Sequence, residues 1–592
     1  MSVIPATEAA GRRAADLAVT CLVNCFLREA GPATELDGGR LRVRLDHLGV
    51  ELEVGLRHRS ATGHHLFDLP VRVRAAATAP AVALDPGALA ALLGRELAAG
   101  DPRADAEGLV AAVTGSQRAV ARFLAAAATG GGAAAPRPLS PFLRAEQSLL
   151  SGHPLHPTPK SRTPMTAAEI DAFSPELGAA FPLHWFAADR ALVLEDSALP
   201  DTATAVLAGL LAGDERAAPE LRRLAARGDL ALIPAHPWQA ARLRERPEVR
   251  SLIDAGRLVD HGPQGAPWSP TSSVRTAGRP GTAVMLKLSL GVRITNSVRL
   301  NLRKELARGV EVHRLLEAGL GARLAERFPS FGILRDPAWA TLAGPVPGAE
   351  SGFEVVIREN PFGADDEATV VAALCEPAPD GGPPPLAGHV RALAAAEGGT
   401  VAAAARAWFA RYLEVAVDPI LWLYGAEGIA LEAHQQNGVV VLREGLPAGF
   451  RYRDNQGYYF KRSHEARLRR LLPGLNAESD TVCDDAVADE RLGYYLGVNH
   501  LLGLIGAFGR AGLASEADLL GDLARHLAAP GRAFPGSPMV DTLLGSPRLR
   551  CKANLRTRLD DMDELVGPME SQSVYVEIPN PLRQAVAARA GA

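Results

Sequence analysis

The chain has 592 residues, of which 47% are hydrophobic and 22% are charged. It carries 63 Lys and Arg against 67 Asp and Glu, so its formal net charge is −4. These values exclude a wholly disordered or fibrous chain, argue against a general nucleic-acid binder, which is usually basic, and suit about four domain-sized units of roughly 150 residues.

The first part of the chain combines helical and strand-like patterns. Apolar residues recur at three- and four-residue steps over 6–30 and predict a long helix. A Gly/Pro/Ala-rich stretch at 129–141 predicts a linker, with a boundary near 130–145, so we expect an N-terminal domain 1–140. Between helix and linker, the pattern predicts strands at 40–45, 50–56 and 66–74 and helices at 87–98 and 105–128.

A second break lies at 376–388, where a Gly pair and three consecutive prolines cannot continue a helix or a central strand. We therefore expect a middle domain 141–388 and a C-terminal domain 389–592. Helices and strands alternate without a regular βαβ order, which favours the α+β class. The remaining predicted strands are 191–195, 230–234, 283–290, 353–358, 429–433 and 439–443, and the remaining helices are 397–424, 487–510 and 516–528.

Cysteine usage and hydropathy predict a location in the cytoplasm. Cys21 and Cys25 are four residues apart and are expected on one buried helix face, whereas Cys375, Cys483 and Cys551 have no neighbour at metal-ligand spacing. The N-terminal residues lack the apolar core of a signal peptide. No uninterrupted apolar run of about 18 residues exists, so we expect no membrane span and no membrane partner.

The charge distribution is uneven along the chain. Residues 270–304 contain no Asp or Glu, although the average composition predicts about four acids there. Residues 147–168 are also free of acids. Since the protein as a whole is mildly acidic, two segments without acidic residues indicate a site that binds anions. The cations of the first segment are Arg275, Arg279, Lys287, Arg293, Arg299, Arg303 and Lys304.

Lys287 is the most informative of these cations. In a strand it would share a face with Met285 and Ser289, and a lysine among apolar residues needs an anion partner or a path to water. In SSVRT (272–276), hydroxyl groups surround an arginine, a combination that suits phosphate oxygens. For Arg279, Arg303 and Lys304, a solvated surface position is as plausible as a place in the anion site.

Prolines hold His153, His156, Lys160 and Arg162 in an extended loop, HPLHPTPKSR (153–162). We expect anion contact there; structural or capping histidines and a metal site are alternatives, although neighbouring cations would repel a metal. His236 follows a predicted strand in IPAHPWQ (233–239), and a structural role for it is as plausible as a functional one.

A third polar block covers 431–438 and 453–457. If it is a strand, Glu432, His434 and Gln436 lie on one face, and such oxygen-rich side chains suit Mg²⁺. The alternative is a hydrogen-bonded hairpin with Asn437-Gly438 as its turn. The two interpretations are compatible, since a turn can present a polar face.

Together these blocks resemble the IucA/IucC family, the NRPS-independent siderophore synthetases. Each motif alone is weak evidence for the family. The motifs occur in the family's order over residues from about 20 to about 580, and this ordered set is specific. One departure is that the family loop usually continues K-x-R-x-G, whereas Lys160-Ser161-Arg162 is followed by Thr163-Pro164. The resembling pieces are NCFLRE (24–29), HPLHPTPKSR (153–162), IPAHPWQ (233–239), SSVRT (272–276), KLSLGVRITNSVRLN (287–301), EAHQQN (432–437), RDNQG (453–457) and KANLRTRL (552–559).

The resemblance implies a hand-like α+β architecture with thumb, fingers and palm regions. It implies a ligase that uses ATP and Mg²⁺ to adenylate a carboxylate of citrate, a citrate derivative or a related acid. An amine or alcohol then displaces AMP to give an amide or ester. The resemblance also implies a homodimer. The alternatives are a non-catalytic relative that binds polyanions, a protein like the ferric-siderophore reductases, and another ATP-using enzyme such as a kinase.

The resemblance also implies roles for individual residues. Lys287, Arg299 and His434 are the expected catalytic residues, and Glu432 and Asp454 are the expected metal ligands. Thr295, Arg299, His434 and Gln436 would contact the acid substrate. The expected nucleotide contacts are His153, His156, Lys160, Ser273, Arg275, Thr276, Lys287, Asn437 and Asp454.

Overall fold

The computed structural model describes residues 6–31, 34–36, 39–75, 79–130, 139–344, 348–454, 456–529, 537–564 and 573–590. Most of the predicted linker 129–141 lies outside these ranges, as does Asn455 of RDNQG. No helix in the described ranges is long and apolar enough to cross a membrane.

The N-terminal part packs helices against a five-stranded antiparallel sheet. The predicted helix 6–30 is confirmed as Ala6–Ala30, and alternation buries Leu41, Val43 and Leu45 on one face of the sheet. Two leucines from the far end of the chain, Leu555 and Leu559, complete this core. The strands are Thr34–Leu36, Arg40–Leu45, Val50–His58, Leu66–Arg74 and Val82–Ala83, and the two further helices are Pro86–Leu97 and Ala106–Ala128.

An eight-stranded sheet forms the second core, and all of its strand pairs are antiparallel. It confirms the α+β class, because its strands are not joined by regular βαβ crossovers. Leu258–Pro270 was not predicted as a strand because it contains Gly262 and Gly265, which have positive φ and accompany register shifts. In spatial order the strands are Val193–Ser197, Ala338–Leu342, Val355–Glu359, Val284–Leu288, Thr276–Gly278, Leu258–Pro270, Phe181–Ala188 and Ala231–Ala235.

The predicted strand 283–290 is two strands, because the chain changes sheet at Ser289. The Ser289 hydroxyl donates to Glu354 at 2.7 Å and accepts the Asn301 backbone N–H at 3.0 Å. The second strand enters a small sheet of Arg162–Thr163, Leu290–Ile294 and Ser297–Arg299. The helices of this middle region are Pro141–Gln147, Ala167–Phe173, Ala203–Ala212, Pro219–Arg227, Pro237–Glu245 and Pro247–Asp254, with short 3₁₀ turns at Pro175–Leu177 and Arg190–Leu192.

The C-terminal part is mostly helical around a large apolar core. The predicted helix 397–424 is wrong in its first turn: Gly398 adopts a left-handed conformation, and Thr400 caps a new helix. The proline run starts a helix at Pro385 instead of preceding an open break. The helices are Arg303–Leu315, Gly321–Arg327, Val371–Cys375, Pro385–Glu397, Val401–Tyr412, Asp418–Ala426, Glu465–Leu471, Asp485–Leu492, Leu502–Arg510, Glu516–Ala528, Pro538–Gly545, Asn554–Leu559 and Pro581–Ala590.

Three small sheets and several irregular turns lie among these helices. The four-stranded sheet contains Phe331–Leu334, Leu446–Arg453, Gly438–Arg443 and Ala368–Val370, and the three-stranded sheet contains Ile429–Leu431, Tyr458–Lys461 and Val482–Cys483. Arg548–Lys552 pairs with Tyr575–Pro579. Wider π-helical turns occur at Leu316–Leu320, Leu413–Val417 and Gly493–Leu501, and a 3₁₀ turn occurs at Arg462–His464.

A buried ion cluster anchors the histidine loop. Lys160 and Arg162, which lie in a stretch without acids, both bind Glu176 from a later turn, at 2.6 and 2.5 Å. Burial acts to raise the pKa of Glu176, but Arg162 and Lys160 outweigh it and lower this pKa to about 2. The carboxylate is therefore charged at neutral pH and is shared by the two cations.

Replacing Glu176 by Gln leaves two buried cations without their carboxylate. We expect a loss of about 3–5 kcal/mol at pH 7. Because the pKa is lower in the folded protein than in the unfolded chain, this contribution is present above about pH 5 and is lost as pH falls toward 2. Thermal unfolding of both proteins at pH 7 and pH 3 measures the difference.

The matched control is Glu248→Gln, which removes a half-exposed partner of Arg246 and is expected to shift the unfolding temperature much less than Glu176→Gln does. Equal shifts for the two variants, or a Glu176→Gln shift that is unchanged at pH 3, would contradict this interpretation.

Candidate active site

One cleft of about 990 Å³ brings the three polar blocks of the sequence together. Its walls come from the helix Ala6–Ala30, the large antiparallel sheet and the C-terminal part. The fourteen residues selected from the sequence all line it, namely His153, His156, Lys160, Ser273, Arg275, Thr276, Lys287, Thr295, Arg299, Glu432, His434, Gln436, Asn437 and Asp454.

Lys287 forms a buried ion pair across the cleft. Strand alternation places it at 4% exposure opposite Thr276, and its Nζ lies 3.2 Å from Oδ1 of Asp454. Burial lowers the pKa of Lys287 to about 8, although Asp454 opposes the shift. Burial acts to raise the pKa of Asp454, but Lys287 and Arg358 outweigh it and hold it well below its usual value.

Arg275 fixes the backbone that carries Arg299. The guanidinium is 2% exposed, and its Nη1 donates to the carbonyls of Arg299 and Leu300, at 3.0 and 3.2 Å, and to Asn301 Oδ1 at 2.9 Å. Burial, reinforced by Arg299, lowers the pKa of Arg275 to about 10, so the group is charged at neutral pH. The preceding residue, Val274, has a φ of 66°, which turns the hydroxyl-rich loop back on itself.

Arg299 is oriented by its own hairpin. Its Nη2 donates to the carbonyl of Ile294 at 2.8 Å and to Oγ1 of Thr295 at 2.9 Å. Thr295 has a φ of 58°, so this turn is tight. Within the described ranges, neither Arg275 nor Arg299 has a carboxylate within 4.0 Å. Both guanidinium groups therefore lie at the cleft without a direct ion pair, although Asp454 acts on both at longer range.

The other cations of 270–304 are mostly compensated from distant parts of the chain. Arg279 binds Asp214 at 2.5 Å, and Lys304 binds Asp480 at 3.3 Å. Arg293 binds Asp561 at 2.7 Å. The absence of acids in the sequence segment therefore overstates the number of cations available for a ligand.

The block 432–437 is a loop, not a strand, so the predicted shared face of Glu432, His434 and Gln436 is wrong. The loop is held by Asn437, whose Nδ2 donates to the Glu432 carbonyl at 3.0 Å and to Asp454 Oδ2 at 3.4 Å. All three side chains still reach the cleft. The hairpin turn that follows is Glu444-Gly445, both with positive φ, and not Asn437-Gly438.

Burial shifts the titration of two groups in this loop. It lowers the pKa of His434 to about 4, so the imidazole is neutral at pH 7. Burial and the neighbouring Asp454 raise the pKa of Glu432 to about 7. Nε2 of His434 lies 3.7 Å from Oε1 of Glu432. Gln436 lies on the other side, where its Nε2 donates to the Ser272 hydroxyl at 3.2 Å.

The histidine loop is held mainly by protein partners. His156 accepts the Thr158 N–H on Nδ1, and its Nε2 donates to Asn296 Oδ1 at 2.9 Å. His153 accepts the Leu155 N–H, and Lys160 binds Glu176. The side chains of His156 and Lys160 are thus bonded to protein groups, whereas His153 stays partly exposed at the cleft. His236, by contrast, is fully buried and caps the helix Pro237–Glu245 outside the cleft lining.

Sequence reasoning missed a π-helical turn, Gly493–Leu501, that holds the loop of His434. The ring of His500 binds the Ala433 carbonyl at 2.7 Å and the Tyr412 hydroxyl, and its own carbonyl accepts Gln435 Nε2 at 3.2 Å. The Asn499 side chain lies 2.9 Å from Nε2 of His153. In this wider turn the consecutive residues Asn499 and His500 contact two different loops of the cleft, and sequence periodicity gives no signal for such a turn.

Glu432 and Asp454 are the only predicted metal ligands. No group of three His, Cys, Asp or Glu able to hold a metal occurs in the described residues. Two carboxylates suit Mg²⁺, which commonly keeps waters and substrate phosphates as its other ligands. The like charge of Asp454 raises the pKa of Glu432, so a cation between them would relieve this repulsion. The donor set therefore fits a magnesium ion shared with a phosphate group.

Comparisons with known proteins agree on one family. A model described as the IucA / IucC family matches residues 141–376. The rhizobactin siderophore biosynthesis protein RhbC of Rhizobium meliloti (strain 1021) is 41% identical over 584 residues, or 96% of this chain and 97% of that protein. Spermidine-citrate ligase of Bacillus anthracis is 42% identical over 453 residues, or 76% of this chain and 74% of the ligase.

Structural comparison gives the same result. The ATP-bound aerobactin synthetase IucA from a hypervirulent pathotype of Klebsiella pneumoniae matches with a TM-score of 0.85 at 30% identity, covering 96% of this chain and 99% of that chain. A second family model, described as a ferric iron reductase FhuF-like transporter, matches residues 406–567. That segment contains only Cys483 and Cys551, both buried, whereas an iron–sulfur cluster usually needs four thiolates.

The ion pair with Asp454 leads to a prediction about the pKa of Lys287. If Asp454 opposes the effect of burial, Asp454→Asn should lower the pKa of Lys287 below its value of about 8. Nuclear magnetic resonance of ¹³C-dimethylated lysines measures this directly. The control is Asp480→Asn, which removes the partner of Lys304 at a similar 3.3 Å and should leave the Lys287 titration unchanged. The same titration in Asp454→Asn and the native protein would argue against the pair.

Proposed function

The chain belongs to the IucA/IucC family, and we propose that it is an ATP-dependent siderophore synthetase that adenylates a carboxylate of citrate or a citrate derivative and condenses it with an amine or alcohol. Relatives named as a siderophore biosynthesis protein and a spermidine-citrate ligase support this reaction. An ATP-bound structural neighbour supports the use of ATP. The cytoplasmic location expected from the cysteine usage and hydropathy, and the homodimer expected from the resemblance, stay predictions.

The observation that carries the proposal is the charge of the cleft. Arg275 and Arg299 face it without carboxylate partners within 4.0 Å in the described ranges, and Lys287 lies beside them, paired with Asp454 at 3.2 Å. A triphosphate and a tricarboxylate repel each other strongly at contact distance. Fixed cations that are already desolvated and oriented reduce this repulsion without reorganisation during the reaction.

In the first half-reaction, Ser273, Arg275, Thr276 and Lys287 bind the phosphates. Thr295, Arg299, His434 and Gln436 hold the acid. A carboxylate oxygen forms a bond to the α-phosphorus, and the bond from that phosphorus to the pyrophosphate oxygen breaks. The nucleophile is already anionic and needs no base, so the contribution of these residues is orientation and charge compensation.

Glu432 and Asp454, with Asn437 beside them, are the residues that would hold Mg²⁺. When bound, this ion supplies positive charge to phosphate oxygens. Asp454 also keeps Lys287 charged, because its carboxylate opposes the effect of burial on the lysine.

In the second half-reaction, the incoming ammonium loses one proton before its nitrogen attacks the acyl carbon and a second as the amide forms. The acyl carbon–oxygen bond breaks, and AMP leaves with its electron pair. Burial keeps His434 neutral, because it lowers the pKa to about 4, so the ring can accept a hydrogen bond from the amine or donate one to the acid.

The reaction class is tested by exchange of labelled pyrophosphate into ATP. We expect exchange that depends on citrate or another polycarboxylate and needs no amine. With a suitable amine added, the nucleotide product should be AMP. No exchange with any di- or tricarboxylate would favour a relative that only binds polyanions, and release of ADP would indicate a kinase.

Two substitutions test the proposed acid-binding and phosphate-binding residues separately. Arg299→Ala should raise the KM for the acid in the exchange reaction by roughly ten- to a hundredfold and change the KM for ATP less. Lys287→Ala should lower the maximal exchange rate by on the order of a hundredfold. Steady-state exchange kinetics with each substrate varied in turn give both values.

The control for these variants is Arg293→Ala, a neighbouring cation that is already paired with Asp561 at 2.7 Å. It should change the KM for the acid by less than about twofold. Equal and small effects from Arg299→Ala and Lys287→Ala would count against the proposed roles.

A further inference from the structure

The proposed function leaves one region of the cleft without an occupant. This region, named here the arginine arm, is lined by Asn24, Arg28, His64 and Arg510. Leu17, Cys21, Asn24 and Arg28 follow one face of the helix Ala6–Ala30, at spacings of four, three and four residues. The ATP and acid residues described above come from other elements.

The arginine arm contains an unpartnered acceptor. Asn24 is 4% exposed, and its Nδ2 donates to the His65 carbonyl at 3.0 Å, which fixes the amide orientation. Its Oδ1 is buried at the cleft and has no hydrogen-bond partner in the described structure. A buried acceptor without a partner is costly, so a ligand N–H donor at this position would be favourable.

The arm also carries two cations, Arg28 and Arg510, that have no direct ion pair in the described ranges. Arg28 donates to the Thr62 carbonyl at 2.8 Å, and neither Arg28 nor Arg510 has a carboxylate within 4.0 Å in the described ranges. The Nε of Arg510 is buried without a partner. Burial lowers the pKa of His64 well below its usual value, and Arg510 and Arg28 add to this effect, so both cations act on the same small region.

The nearby acids are bound to other groups. The carboxylate of Glu29 accepts the backbone N–H groups of Leu555 and Arg556, each at 2.9 Å. Glu516 accepts the Ser60 hydroxyl at 2.9 Å and binds His58 at 3.0 Å. In the described ranges neither Glu29 nor Glu516 forms an ion pair with Arg28 or Arg510, and Glu516 and Glu376 act on Arg510 only at longer range. Both guanidinium groups can therefore bind a carboxylate of a ligand directly.

The arm leads to the proposed reaction centre through His153. Burial lowers the pKa of His153 to about 3, and His156, His434 and Arg28 add to this shift, so the imidazole lies within electrostatic range of both His434 and Arg28. His153 is also the partly exposed histidine of its loop. A substrate anchored at Arg28 would thus extend past His153 toward the acid held at His434.

We propose, on the basis of the proposed function, that the arginine arm is the subsite of the amine substrate and that it takes an amine bearing a carboxylate, such as a diamino acid. The guanidinium of Arg28, assisted by Arg510, binds the carboxylate, and Oδ1 of Asn24 accepts the adjacent α-ammonium. The second amino group of the diamino acid reaches the acyl carbon. An α-amino acid carries a carboxylate and an ammonium on the same carbon. The carboxylate matches the N–H donors of the Arg28 guanidinium, and the ammonium matches the neighbouring acceptor, Oδ1 of Asn24.

The test compares amines that differ only by a carboxylate. Lysine is paired with cadaverine, ornithine with putrescine, and 2,4-diaminobutyrate with 1,3-diaminopropane. Formation of the citrate adduct is measured by mass spectrometry with the full chain. In at least one pair, we expect the amino acid to react with a kcat/KM at least tenfold above that of its decarboxylated partner.

The variants Arg28→Met and Arg510→Met should reduce this preference to below about threefold, and Asn24→Ala should raise the KM for the amino acid. The control, Arg12→Met, removes an exposed cation of the same helix that is paired with Glu8 at 3.1 Å, and it should keep the native preference. Having two arginine variants guards against misfolding of either one, and thermal unfolding checks both.

Preference for the decarboxylated member of every pair, use of neither member, or a preference that survives both arginine variants would overturn the assignment. Pyrophosphate exchange of the native protein with citrate, measured without any amine, tests the proposed function separately. Citrate-dependent exchange together with any of these three results means that only the arginine arm has been misassigned.

Discussion

The buried guanidinium of Arg275 is the contact on which the candidate active site depends. Its Nη1 binds the carbonyls of Arg299 and Leu300 and the side chain of Asn301, and so joins the hydroxyl-rich loop 272–276 to the hairpin that carries Arg299. A charged donor buried at 2% exposure is tolerated because these oxygens replace water. One side chain thereby sets the spacing between the two cationic centres of the cleft.

A second set of contacts holds the opposite wall. The π-helical turn Gly493–Leu501 places His500 on Ala433 and Asn499 near His153, so the loop of His434 and the histidine loop are supported by one helix. The result is a cleft whose side chains come from strands and loops that are held by rigid elements. Such support allows charged groups to stay oriented when no ligand is present.

Local patterns in the sequence predict a large part of this arrangement. Alternation around Lys287 predicts its strand and its buried position, and the ordered motifs predict which residues share a cleft. Distant pairing is not visible in a local pattern, so Glu176 and Asp480 could not be matched with Lys160 and Lys304. The shape of 432–437 was also missed, because the hydrogen bonds of Asn437 override the apparent strand alternation.

The helix Asn554–Leu559 affects the order in which the chain folds during its synthesis. Leu555 and Leu559, at 0% and 2% exposure, fill the core formed by residues 19–113, and Glu29 caps the start of their helix. On the ribosome, the first 113 residues emerge long before these leucines are synthesised. The N-terminal core is therefore completed only after residues 555–559 have been translated, and a product that terminates before them would lack two of its core leucines.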